Sequence, residues 1–265
     1  MQFGAMNFPV KPVQEEIEAI ARLGFDYLEL AMDPPMAHYS TISADRAAIA
    51  QALKDSGLGL VCHMPTFVTT ADLTESLRRA SVTEMRRSLE VAAELGAGKV
   101  VLHPSIASGM GVFVLDTVKG FANDFLAEMV AAAQDLDIAI CLENMFPRYK
   151  LGVEPADFEE IFKLFPSLNL TVDTGHAHID DQQGNRLMTL VERFGERIGH
   201  LHFSDNFGKR DDHRAVGDGT VRFAELVRGL KKIGYDDTIT LEVFDQDRQM
   251  LVESRNIIKA MFAGR

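Results

Sequence analysis

Short runs of Val, Ile and Leu recur along the chain, and between them lie longer stretches in which apolar residues return every three or four positions. The short runs predict strands near 2–6, 25–30, 58–63, 98–103, 138–143, 168–173, 198–203 and 238–243. The longer stretches predict helices near 12–23, 43–56, 74–95, 116–136, 155–165, 185–196, 221–233 and 247–262. Eight successive βα units in 265 residues fit a closed parallel barrel, the single (β/α)8 TIM barrel of the α/β class, better than an open doubly wound sheet. No GxGxxG turn follows the first strand, and no Ser/Gly/Pro-rich linker or low-complexity tract breaks the alternation. One domain over residues 1–265 is the expectation.

Alternation within the strands assigns an inside. In Ile138-Ala139-Ile140-Cys141-Leu142-Glu143 the residues in step with Glu143 are small, whereas Ile138, Ile140 and Leu142 are branched and suit the layer beneath the helices. The segments 168–173 and 238–242 repeat the arrangement, so the acids ending all three strands belong to the lumen-facing set. By the same parity Cys141 points inward and Cys62 points towards the helices. The two thiols are therefore not expected to pair.

Composition narrows the class. At 46% hydrophobic and 25% charged residues the chain reads as soluble and globular, and its formal net charge of −12 gives no general attraction to phosphate backbones. Nucleic-acid binding would need a local basic patch. Two cysteines make no disulfide framework and imply a reducing compartment. The chain opens without a basic segment followed by an apolar run, and it contains no eighteen-residue apolar stretch, so a cytoplasmic protein without a membrane partner is expected. The pattern is compatible with a homo-oligomer and does not fix the oligomeric state.

The C-terminal ends of strands three to eight carry His63, His103, Glu143, Asp173, His202 and Glu242 without a gap. Active sites of such barrels are built at that rim. His176, Asp211 and His213 follow close behind strand ends, which brings four carboxylates and five imidazoles towards one mouth. Like charges crowded in a low-dielectric pocket cost several kcal/mol without a cation, and a divalent metal resolves the conflict. Glu143, Asp173, His202 and Glu242 supply three carboxylates and one imidazole, a set that suits Mn²⁺, Mg²⁺, Co²⁺ or Zn²⁺ without selecting among them. His63 with His103, and His176 with Asp211 and His213, would either complete further zinc-type sites, up to three ions in all, or hydrogen-bond a polyol.

In this order and spacing His63-Met64-Pro65, Leu102-His103-Pro104, Leu142-Glu143-Asn144, Val172-Asp173-Thr174-Gly175-His176, His200-Leu201-His202, Asp211-Asp212-His213, Gly217-Asp218-Gly219 and Leu241-Glu242 resemble the xylose isomerase-like TIM-barrel superfamily over essentially the whole chain. The resemblance has two branches. Sugar and sugar-phosphate isomerases and epimerases hold one metal through residues matching Glu143, Asp173, His202 and Glu242. That branch implies that Glu143 and Glu242 exchange protons with the substrate through a metal-chelated cis-enediolate. Endonuclease IV, the family 2 AP endonuclease, is similar at all nine positions and implies a trinuclear zinc phosphodiesterase.

The loops weigh for the sugar branch. The loop after strand two, 31–39, and the loop after strand three, 66–72, contain no Lys or Arg. Arg148, Lys150, Lys209, Arg210 and Arg214 suit one sugar phosphate at least as well as a DNA strand, with Lys150 and Arg214 the candidate substrate contacts. The favoured expectation is thus an isomerase or epimerase with one ion and a small sugar or sugar-phosphate substrate, ahead of a nuclease and of a barrel that binds metal or sugar without turnover. The amides of Gly217-Asp218-Gly219, before the seventh helix, are a candidate cradle for phosphate or a substrate oxygen. Glu29 is expected to hydrogen-bond substrate, to orient a ligand or to serve structurally, His200 to be structural, and His178 to lie in a loop.

Overall fold

The period-two strands and the 3.6-period helices assemble as their patterns require. In the computed structural model, described for residues 1–264, β1 (Gln2–Met6), β2 (Tyr27–Ala31), β3 (Gly59–His63), β4 (Lys99–Leu102), β5 (Ala139–Glu143), β6 (Asn169–Asp173), β7 (Ile198–Phe203) and β8 (Thr238–Leu241) pair in parallel in sequence order. The ring closes where Gln2–Ala5 lie beside Thr238–Leu241. Outward residues such as Leu28, Cys62, Leu142, Val172 and Leu241 pack with helix residues such as Ile17, Ile49, Met85 and Leu190 in one core. The stripe of α1 (Val13–Arg22) shows the cause, because Val13, Ile17 and Ile20 recur at helical spacing and all three are buried.

The lumen is filled differently at its two ends. Tyr27, Val61 and Val101 form a small apolar cluster inside the ring, separate from the main core. Gly4 makes room for it, since a Cβ there would meet the Tyr27 ring at 2.2 Å. Above this plug the inward positions are polar: Glu29, His200 and Thr240 are fully buried, then Glu143, Asp173 and His202.

Two helical details differ from the sequence expectation. The helix expected at 43–56 begins earlier and is broken into α2 (Tyr39–Ala44) and α3 (Arg46–Ser56), with Asp45 between them at φ −99° and ψ 9°. Asp tolerates that conformation, and His38 caps α2 by accepting the Ser40 amide through Nδ1. The remaining long helices are α4 (Glu75–Glu94), α5 (Leu115–Asp135) and α6 (Pro155–Leu164). An additional single turn, α7 (Thr174–His178), grows directly out of β6 because the Asp173 carboxylate accepts the His176 amide at 2.5 Å. His178 is consequently not a loop residue; it is buried, with Nε2 at 2.8 Å from Thr220 Oγ1. The chain ends through α8 (Asn185–Phe194), α9 (Phe223–Lys232) and α10 (Gln249–Phe262). No helix among the described residues is long and apolar enough to cross a membrane.

Candidate metal centre at the mouth of the barrel

Strand parity delivers the side chains and barrel closure brings them together. His63, Glu143 and Asp173 end β3, β5 and β6, His202 sits one residue before the end of β7, and His103 and Glu242 directly follow β4 and β8. Ligand atoms of Glu143, Asp173, His202 and Glu242 all lie within 4.8 Å of one another. At the centre His202 Nδ1 is 3.3 Å from Glu143 Oε1, 3.5 Å from Glu242 Oε2 and 3.8 Å from Asp173 Oδ2. A second group joins His63, Glu143 and His202.

The other candidates converge on the same oxygens. His63 Nε2 and His103 Nε2 both face Glu143 Oε2, at 3.3 and 3.0 Å, and His176 Nδ1 faces Glu143 Oε1 at 3.2 Å. On the outer side Asp211 Oδ2 lies 3.2 Å from His176 Nε2 and 3.0 Å from His213 Nε2. All nine residues singled out by strand-end position therefore form one connected set. His176, Asp211 and His213 are linked through Asp211 and do not close into as tight a group as the four around His202.

The electrostatics follow from that crowding. Burial would raise the Glu143 carboxyl, but the surrounding imidazoles, His202 foremost, hold it well below the usual range. Burial also raises Asp173, and although His176 opposes this, the nearby Glu143, Glu242 and Asp211 leave it at about 7. Burial lowers His63 and His213, yet contact with Glu143 in one case and with Glu242 and Asp211 in the other lifts both to about 9.

Whether these residues fit a metal can be judged from their unmet partners. Asp173 Oδ2 and Glu242 Oε2 are buried and accept no hydrogen bond, and Asp211 Oδ1 and His103 Nδ1 share that condition. Buried carboxylate oxygens are rarely left so, because each carries a desolvation cost of about 1–3 kcal/mol or more. Two of them in a ring with one imidazole nitrogen and Glu143 make a donor set that suits a hard or borderline divalent cation.

The sequence profile of the xylose isomerase-like TIM barrels matches residues 17–261. The chain belongs to this family. An uncharacterized protein of Methanocaldococcus jannaschii is 31% identical over 267 residues, covering 98% of this chain and 88% of that one. The fructoselysine 3-epimerase of Escherichia coli O157:H7 is 24% identical over 241 residues, covering 88% and 86%. Among solved structures, a D-tagatose 3-epimerase-like protein superposes with a TM-score of 0.84 at 29% identity, over 99% of this chain and 97% of the other.

The cluster opens into a cavity of about 350 Å³, walled by Phe8, Phe67, Phe146, Tyr149 and Phe244. His63, His103, His176, Asp211, His213 and Glu242 reach its surface, while Glu143, Asp173 and His202 lie beneath. Among the described residues no Lys or Arg lines it, which corrects two sequence expectations. Lys150 follows a 3-10 turn at Pro147–Tyr149 in a left-handed conformation (φ +66°) and stands exposed. Arg214 reaches away to Asp218 at 3.5 Å and covers the Phe207 ring. Lys11 and Arg248 line an adjoining cavity that shares Met6, Phe8 and Phe244, and Arg248 is ion-paired there with buried Glu16.

The glycine turn is a third correction. The amides of Gly217, Gly219 and Val221 donate to the Asp205 carboxylate, at 3.0, 2.9 and 3.0 Å, and so does that of Asn206 at 2.9 Å. The chain fills its own anion cradle, leaving no amides there for a phosphate. Gly219 is required because a Cβ would fall 2.4 Å from Asn206 O and from Asp205 Oδ1. Asp205 carried no signal of its own in the sequence, and neither did Tyr149, whose ring meets His103 edge-on at 6.0 Å. The count of aromatic residues following strand ends could have found Phe8, Phe67 and Phe244.

Proposed function

We propose that this xylose isomerase-like barrel is a metal-dependent epimerase or isomerase of a small, unphosphorylated sugar. One observation carries the reading: Glu143, Asp173, His202 and Glu242 bring their ligand atoms within 4.8 Å of one another while Asp173 Oδ2 and Glu242 Oε2 have no donor. Similarity to a fructoselysine 3-epimerase and to a D-tagatose 3-epimerase-like protein supports the substrate class.

Glu143, Asp173, His202 and Glu242 would hold the ion. A divalent ion, when bound, supplies the positive charge that stabilises negative charge on substrate oxygens. Glu242 is the carboxylate that reaches the cavity, and it takes the proton from the carbon next to the substrate carbonyl; the C–H electron pair moves into the C–C bond and the carbonyl oxygen becomes anionic. Return of a proton to the opposite face inverts that carbon, and return at the neighbouring carbon with an O–H shift gives the isomer. Glu143 is the partner carboxylate; ionised among the imidazoles, it first takes a proton, which His63 with Nε2 3.3 Å from its Oε2 can give, and then returns it to the substrate carbon as His63, His103 and His176 pass their hydrogen bonds to the substrate or the ion. The aromatic wall suits the C–H faces of a sugar, and the lack of Lys and Arg among the described lining residues argues against a phosphate at the mouth.

A specific observation favours a second reading. All nine residues that resemble the endonuclease IV ligands are in contact, with His63 and His103 on Glu143 and His176 and His213 on Asp211, an arrangement that could take up to three zinc ions. A cavity without Lys or Arg in a chain of net charge −12 argues against a DNA substrate. Elemental analysis of protein purified without chelator, followed by exchange of solvent deuterium into a panel of ketoses, tests the ranking. About one ion per chain with deuterium entering next to the carbonyl is expected. About three zinc ions with cleavage of an abasic-site duplex would replace the proposal by the nuclease. Metal and sugar binding without exchange or cleavage would leave a binding protein.

A further inference from the structure

Beneath the candidate metal centre a hydrogen-bonded chain runs down the barrel axis, and the chemistry of its members fixes the direction of every link. At the closed end Lys99 Nζ, which can only donate, contacts Asp237 at 2.9 Å and Thr238 Oγ1 at 3.1 Å. Thr238 Oγ1 accepts from the lysine and lies 2.7 Å from His200 Nδ1; because the ionised Glu29 carboxylate at the other ring nitrogen can only accept, Nδ1 is the acceptor of this pair and Thr238 donates to it. His200 then carries its proton on Nε2 and donates it to Glu29 Oε2 at 2.9 Å. Tyr27 OH donates to Thr240 Oγ1 at 2.8 Å, and Thr240 in turn donates to Glu29 Oε2. The remaining oxygen, Glu29 Oε1, lies 2.9 Å from His202 Nε2.

We propose that Glu29 is a positioning residue that fixes the His202 imidazole with Nε2 protonated and the Nδ1 lone pair aimed at the centre of the carboxylate ring. The inference rests on the metal reading above and extends it to side chains that touch no substrate. The opposite tautomer would set the Nε2 lone pair against a buried carboxylate at 2.9 Å. Glu29, His200 and His202 also have the composition of a three-ligand metal group. Their hydrogen-bonding capacity is spent instead, since among the described residues no polar side-chain atom of Glu29, His200, Thr238 or Thr240 lacks a partner. Outer carboxylates of this kind orient metal-binding imidazoles and raise their basicity.

The test is Mn²⁺ and Zn²⁺ affinity by chelator competition in the wild type and in Glu29→Gln, which preserves shape while offering an amide N–H to one of the two imidazoles. About a 10–100-fold loss of affinity is expected, with the fold retained by circular dichroism and partial recovery in Glu29→Asp. A merely structural role would lower the melting temperature and leave the affinity unchanged. A folded Glu29→Gln protein binding within about twofold of wild type overturns the inference and leaves the metal reading standing; a wild type that binds neither ion removes both. Should Glu29→Gln not fold, imidazole ¹⁵N NMR of the zinc-loaded wild type decides. Protonated Nε2 of His202 supports the proposal, and protonated Nδ1 overturns it.

Discussion

The lower polar layer of the barrel interior, built from Glu29, His200, Thr238 and Thr240, and the upper layer, built from Glu143, Asp173, His202 and Glu242, both bury carboxylate against imidazole. In the lower layer each donor meets an acceptor, and Lys99 closes the chain at the bottom. In the upper layer two carboxylate oxygens accept no hydrogen bond. Burial and composition are nearly alike, so neither distinguishes a structural network from a ligand site. What distinguishes them is whether the polar atoms can be satisfied by the protein alone.

That contrast can be broken at its most exposed point, and the largest effect is expected there. Glu242→Gln should lower turnover by about 10²–10⁴-fold, because the carboxylate that reaches the cavity can no longer accept a proton. Steady-state rates with metal content measured in parallel check this. A variant that kept wild-type turnover would return Glu242 to a purely structural role.

A second difference should appear in stability against pH. In metal-free protein His63 and His213 are raised from 6.5 to about 9, and Asp173 from 3.8 to about 7. A raised folded-state pKa means that the native state binds more protons than the unfolded chain. The stability contributed by the two histidines is therefore complete below pH 6.5 and lost as pH rises through about 9, and Asp173 acts in the same direction through about 7. The melting temperature of chelator-treated protein should fall over that range. Metal-loaded protein should resist the fall, since ligation replaces those protons. Parallel curves for the two forms would show that no ion replaces them.

The smallest effect sharpens the comparison from below. Thr240→Val removes the donor to Glu29 and the acceptor for Tyr27 without touching the upper layer. Denaturant unfolding should show a loss of about 1–3 kcal/mol, the cost of stranding buried polar partners, while metal stoichiometry is unchanged. A change in stoichiometry instead would mean that the layers act as one site.

Much of this is legible in the sequence. The run of strand ends at His63, His103, Glu143, Asp173, His202 and Glu242 needed only period-two parity, and Asp173-Thr174-Gly175-His176 needed only proximity to a strand end. The break at Asp45 and the single turn at Thr174–His178 were not legible, because one-residue caps decide them and leave no periodic trace. Lys150 and Arg214 do not line the cavity, because proximity along the chain says nothing about where a flexible cationic side chain points.

By itself the sequence determined the eightfold alternation, the inside and outside of each strand, and which residue types would gather at the mouth, since all of these follow from local backbone periodicity. Only the tertiary structure decided that Asp205 occupies the amides of the glycine turn, that Glu29 joins His200 to His202, and that Asp173 and Glu242 keep oxygens without donors. Those are pairings between residues tens to more than a hundred positions apart or between rotamers within one turn. Closing the ring with its particular register sets the distances on which a hydrogen bond depends, and nothing in a linear pattern encodes them.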